Sequence, residues 1–332
     1  MRLVRRGILA LVAALGTVGV LRRWRALSHV SPDLRTPVIY LPGSIRNGLG
    51  LKVARLLGSA RTPIATGVHT QDLTIATDDG PVGVVTYERP DRQRSSGALL
   101  WIHGGGLVMG HPPLGHEICS RFADELGIVV ASVDYRLAPE HPFPAGLEDC
   151  YAALRWLHEM ADELGIDAHR IAVGGDSAGG GLAAALGQLA RDRGGPDICF
   201  QLLVYPMLDD RSVLRADHEG RGNFLWTPAS NRYGWTAYLG HAPVAGDDRP
   251  HASAARCEDL SGLPPAWIGV GDLDLFYAED CDYARRLEAA RVPCALRVEP
   301  GMYHGAEVLR PKAPAMRAFR AAMTDALRLA LC

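Results

Sequence analysis

The chain has 332 residues, 48% of them hydrophobic and 22% charged, which is enough to bury the core of one large α/β domain. Lys and Arg number 35 against 37 Asp and Glu; the formal charge of -2 provides no long-range field for nucleic acid and argues against a polyanion partner. The 7 cysteines are scattered, odd in number and without a Cys-x-x-Cys pair, so they read as small apolar filling rather than as a disulfide scaffold or zinc site.

At the N-terminus Arg2, Arg5 and Arg6 precede an apolar run from Gly7 to Leu21, closed by Arg22, Arg23 and Arg25. The run is shorter than the roughly 20 residues of a spanning helix and has no persuasive cleavage site. Three roles fit it: an uncleaved anchor or interfacial helix that would place the protein at a membrane, a poor secretory signal, and a lid helix of a cytoplasmic enzyme. Residues 1–69 are therefore set apart as an N-terminal apolar segment with cap helices.

From residue 70 a regular rhythm begins. Strands are predicted at Asp72 to Thr77, Val82 to Tyr87, Ala98 to His103, Ile128 to Tyr135, Ile171 to Val173, Phe200 to Tyr205, Ala266 to Val270 and Ala295 to Val298. Asp78-Asp79-Gly80 turns the first two into an antiparallel hairpin. Helical spacing of apolar residues marks Leu147 to Leu164, Gly181 to Arg191, Tyr277 to Ala290 and Lys312 to Leu331, and strands alternating with helices imply a mostly parallel sheet covered on both faces. The rhythm stops between Pro206 and Pro265. There Thr227 and Pro228 open a helix carrying Tyr233, Trp235 and Tyr238, read as a cap insertion at about 207–250 in a catalytic domain of residues 70–332. Its aromatic residues, with Phe224 and Trp226, are expected to pack the cap.

Gly175-Asp176-Ser177-Ala178-Gly179 places a serine in a Gly-x-Ser-x-Gly frame between a strand and a helix, where small neighbours allow a sharp elbow that leaves the hydroxyl exposed. An ordinary glycine turn has the same residues, so the rest of the chain must supply the partners. A serine needs an imidazole to take its proton and a carboxylate to orient that imidazole, and in an elbow-type enzyme these follow in the order carboxylate, histidine. Of the histidines after Ser177, His218, His241 and His251 lie in the insertion, whereas His304 follows the last strand. Asp272 and Asp274 both follow the strand at Ala266 to Val270, and spacing does not rank them. His103-Gly104-Gly105-Gly106 follows another strand and offers backbone amides to an oxyanion, completed by the amide of Ala178. His103 itself is read as fixing that loop.

Together with the run Asp134-Tyr135-Arg136-Leu137-Ala138-Pro139-Glu140-His141-Pro142-Phe143-Pro144-Ala145, these motifs resemble the hormone-sensitive-lipase family of α/β-hydrolases over about residues 70 to 330. The resemblance implies the α/β-hydrolase fold, a sheet of about eight strands, and a serine carboxylesterase acting on small esters with short to medium acyl chains, without cofactor or metal. It maps the triad onto Ser177, Asp274 and His304, aligning the family's Asp-Pro-Leu element with Asp274-Leu275-Phe276, and the oxyanion amides onto Gly104, Gly105 and Ala178. It also implies homodimers paired through the last strand and helix, and packing of Tyr135, Phe143 and Pro144 beneath the site. Leu275 replaces the usual proline, and Leu107, standing where an aromatic residue commonly follows the glycines, is expected to border a substrate pocket. An amidase or deacetylase acting on aryl amides would use the same residues, and a binder of small molecules on a decayed hydrolase fold is the alternative outside catalysis.

Overall fold

The computed structural model describes residues 25–41, 43–59 and 61–332; the apolar run at 7–21, with its three readings, lies outside them. Among the described residues no helix is long and apolar enough to cross a membrane.

Eight strands form one sheet: β1 (His69–Ile75), β2 (Val82–Glu88), β3 (Ser96–Ile102), β4 (Val129–Asp134), β5 (Ile166–Asp176), β6 (Phe200–Val204), β7 (Ala266–Gly271) and β8 (Cys294–Glu299), in the order β1-β2-β4-β3-β5-β6-β7-β8. Only the pairings of β2 with β1 and β4 are antiparallel. Side chains of a strand alternate between faces, and β3 shows the consequence: Ala98, Leu100 and Ile102 enter one core, Leu99 and Trp101 the other. The first core is closed by α3 (Ala145–Glu159), α5 (Ala178–Arg193) and α7 (Tyr277–Ala289), the second by α2 (His116–Leu126) and α9 (Pro314–Leu331). Strands β1 and β8 are the two edges of the sheet, and Leu296 of β8 is exposed.

Several helices depart from the sequence reading. Expected from Leu147 to Leu164 as one piece, the helix is interrupted at Met160, giving α3 and the four-residue α4 (Ala161–Leu164). Helix α5 starts at Ala178, three residues before the expected Gly181, so the glycines taken for a turn belong to its first turn. A Cβ at Gly179 would lie 2.0 Å from the Ile102 carbonyl oxygen, and one at Gly181 2.1 Å from that of Met207, so only glycine lets the helix approach the sheet this closely. Helices α1 (Gly48–Leu57) and α2 were not delimited by periodicity. In the inserted segment α6 (Pro228–Leu239) begins as expected, with the Thr227 side chain accepting a hydrogen bond from the Ser230 amide. The apolar-filling role of cysteine holds for buried Cys119 and Cys150, whereas Cys332 is exposed and the other four are half-buried.

The segment after β4 is fastened by a buried ion pair. Asp149 of α3 accepts hydrogen bonds from the Arg136 amide at 2.8 Å and from its guanidinium Nε and Nη2. Asp149→Ala removes the buried acceptor of these bonds while the partly exposed Arg136 guanidinium can be solvated, and we expect a loss of about 2 kcal/mol in urea denaturation. A loss below about 1 kcal/mol would show the pair to be dispensable.

Candidate active site

Ser177 connects β5 to α5 at φ 55 and ψ -120, a conformation that non-glycine residues rarely adopt. Three backbone hydrogen bonds hold it: its N–H donates to the Val204 carbonyl at 2.8 Å, and its own carbonyl accepts from Gly181 and Met207. The elbow is thus clamped by the end of β6, and the hydroxyl points off the carboxyl edge of the sheet, where open α/β sheets hold their ligands.

The loop after β8 brings His304 to this hydroxyl, with Nε2 2.9 Å from Ser177 Oγ and Nδ1 2.8 Å from Asp274 Oδ2. The serine, histidine and aspartate are 4%, 8% and 0% exposed. Asp274 is fixed in turn, its Oδ1 accepting from the Phe276 amide at 3.0 Å. Asp272 points elsewhere. Its Oδ1 accepts from the Gly301 amide at 2.7 Å and so pins the start of the loop that carries His304. Burial alone would lower the basicity of His304, but the charge and hydrogen bond of Asp274, with Glu307 and Asp176 nearby, outweigh it, leaving the imidazole more basic than usual.

The glycine loop requires a correction. Gly104, expected as an oxyanion donor, gives its N–H to Asp176 Oδ1 at 3.1 Å. An amide already bonded to a carboxylate has no donor left for a substrate oxygen. The amides of Gly105 and Gly106 bond to no acceptor among the described residues, and that of Ala178, first in its helix, has no intrahelical partner. Gly106 also has a positive φ, and a Cβ there would lie 1.9 Å from Trp226 Cη2, so the indole rests directly on the loop. Burial pushes the Asp176 carboxyl up to about 6, partly offset by the Gly104 hydrogen bond.

His103 is neutral, its pKa lowered by burial to about 4, and its Nδ1 donates to the Gly104 carbonyl at 2.8 Å. It stacks on Tyr135, whose hydroxyl donates to the His103 carbonyl at 3.0 Å. The expected loop-fixing role of His103 and packing role of Tyr135 match these contacts. Phe143 instead packs edge-on against Tyr238 of the inserted segment. The Leu107 side chain packs into the core at φ 67, and its carbonyl accepts from the Ala138 amide. Among the aromatic residues of the insertion, Phe224 packs on Tyr303 and Trp235 on Tyr238, while Trp226 lies over the glycine loop, 6.5 Å from the His304 ring. Tyr233 differs, lining an outer cavity of about 690 Å³ whose walls include Arg46, Arg215 and Arg232 but neither Ser177 nor His304.

Four residues escaped the sequence reading: Gly106, Asp176, Tyr205 and Glu307. Gly106 and Asp176 stood inside the quoted motifs without a role assigned to them, whereas Tyr205 and Glu307 carried no signal.

A strained serine between a parallel strand and a helix, facing a histidine and an aspartate beyond later strands, defines a hydrolase of the α/β class. Residues 99–308 match the family model described as alpha/beta hydrolase fold. The chain belongs to that family, in its hormone-sensitive-lipase-like branch. It is 39% identical to Esterase LipI of Mycobacterium tuberculosis over 266 residues, 79% of this chain and 82% of that protein. To Carboxylesterase NlhH of the same species it is 38% identical over 291 residues, 84% of this chain and 89% of that one. Among solved structures, Bacterial Heroin Esterase superposes with a TM-score of 0.85 at 36% identity, covering 92% of this chain and 99% of its own.

Proposed function

We propose that this carboxylic ester hydrolase works through a Ser177–His304–Asp274 triad on small esters with short to medium acyl chains. The Ser177 hydroxyl attacks the ester carbonyl while His304 Nε2 takes its proton; Asp274 holds Nδ1 and stabilises the imidazolium. The amides of Gly105, Gly106 and Ala178 receive the oxyanion, and Gly104 is excluded because its amide serves Asp176. His304 then protonates the departing alcohol, and water, activated by the same imidazole, releases the acid. The inserted segment acts as a cap, with Trp226 over the glycine loop and 6.5 Å from the His304 ring. The observation that carries the reading is the unbroken relay from Ser177 Oγ through His304 to Asp274, at 2.9 and 2.8 Å.

The pH dependence tests it. A base must be neutral to accept a proton, and the basicity of His304 is raised, so reactivity is gained as pH rises through a midpoint above the ordinary imidazole value of about 6.5. Labelling of Ser177 by a fluorophosphonate, followed by mass spectrometry, is expected to show this rise. A flat profile between pH 5 and pH 9, or a label elsewhere, would end the reading.

A further inference from the structure

We propose that Tyr205 and Glu307 form a second acidic support for His304, approaching the imidazole from a side that Asp274 does not occupy; this rests on the triad reading above. Both are positioning residues, acting through the histidine.

Glu307 lies in the four-residue helix α8 (Ala306–Leu309), three residues beyond His304, and is 4% exposed. Its Oε1 accepts a hydrogen bond from the Tyr205 hydroxyl, while Oε2 has no partner among the described residues. A carboxylate buried with one oxygen unsatisfied is costly, and no Lys or Arg among the described residues forms an ion pair with it. Tyr205 is itself fixed. Its amide donates to the Gly269 carbonyl at 2.6 Å, its φ is 35, and its ring meets His304 edge-on with centroids 4.6 Å apart. The phenol therefore links the carboxylate to the ring that gains a charge during acylation.

The groups that face this pair come from three elements: Asp176 at the end of β5, Asp274 beyond β7, and Tyr303 and His304 from the loop after β8. None of those reaching Glu307 from another element is a permanent cation, so the imidazolium is the one positive partner these neighbours supply. When the proton moves from Ser177 Oγ to Nε2, the new charge lies near both Asp274 and Glu307. Burial raises the Glu307 carboxyl to about 7, and Glu307 is among the acidic neighbours that make His304 more basic than usual, so the charge on each favours the charge on the other.

Tyr205→Phe, Glu307→Gln and the double variant, assayed on p-nitrophenyl acetate, test this. Each single change should lower kcat about tenfold with KM within about twofold, and the double should lose no more than the worse single, because the two act as a unit. Loss of the carboxylate's charge makes the imidazole less basic, so the acid limb of kcat/KM should move to lower pH by about 0.5. Unchanged kcat, or lowered kcat with an unmoved pH profile, would overturn the proposal, the latter marking a merely structural role. Should Glu307→Gln fail to fold, Tyr205→Phe, which removes a single oxygen, decides alone. Activity surviving in Ser177→Ala would instead defeat the triad reading; an inert Ser177→Ala with wild-type Tyr205 and Glu307 variants defeats this inference only.

Discussion

Ser177→Ala is expected to lower kcat on a short p-nitrophenyl ester by roughly 10⁴–10⁶-fold while the melting temperature stays near that of the parent. The change removes the attacking oxygen and little else. Among the described residues Ser177 Oγ bonds only to His304, whereas the backbone bonds that hold the elbow, to Val204, Gly181 and Met207, do not involve the side chain. Alanine meets the same strain as serine at φ 55, so the elbow keeps its shape. Turnover within tenfold of the parent would mean that another group attacks the ester.

Asp274→Asn should cost roughly 10³–10⁴-fold in kcat, whereas Asp272→Asn should stay within about tenfold. The carboxylate at 274 accepts a hydrogen bond from Nδ1–H, which leaves Nε2 free to accept from Ser177. An asparagine that turned its NH2 toward Nδ1 would place the ring proton on Nε2, facing the hydroxyl it should deprotonate. At 272 the carboxylate accepts only from the Gly301 amide, a bond the asparagine oxygen can keep. Equal losses at the two positions, measured under saturating substrate, would show that the orienting role is shared or misassigned.

The contrast between these aspartates shows how much of the site was legible. Both stand in one turn after β7, and composition treats them alike; only the family resemblance preferred Asp274. The histidine was easier, since three of the four after Ser177 fall in the segment without strands. Regular elements with strong periodicity were read well, seven of the eight strands to within about three residues, because alternation along a buried strand is written in consecutive side chains; β5, expected only at Ile171 to Val173, runs from Ile166 to Asp176. Helix α2 was missed although Cys119, Phe122, Ala123 and Leu126 recur at helical spacing. Its capping position is Gly115, which has no side chain to announce a helix start.

The order of chemistry along the chain is a property of the sequence alone: a serine at an elbow, aspartates after β7, a histidine after β8, and glycines where backbones meet. These depend on residue type and near neighbours. Which glycine amide is free was decided elsewhere, because the partner of Gly104 is Asp176, 72 residues away, and its capture depends on how β3 and β5 pair. The same holds for Glu307 and Tyr205, separated by 102 residues. A hydrogen bond requires its atoms to meet within a few tenths of an ångström, and between distant segments that distance is set by the packing of the whole core rather than by local pattern.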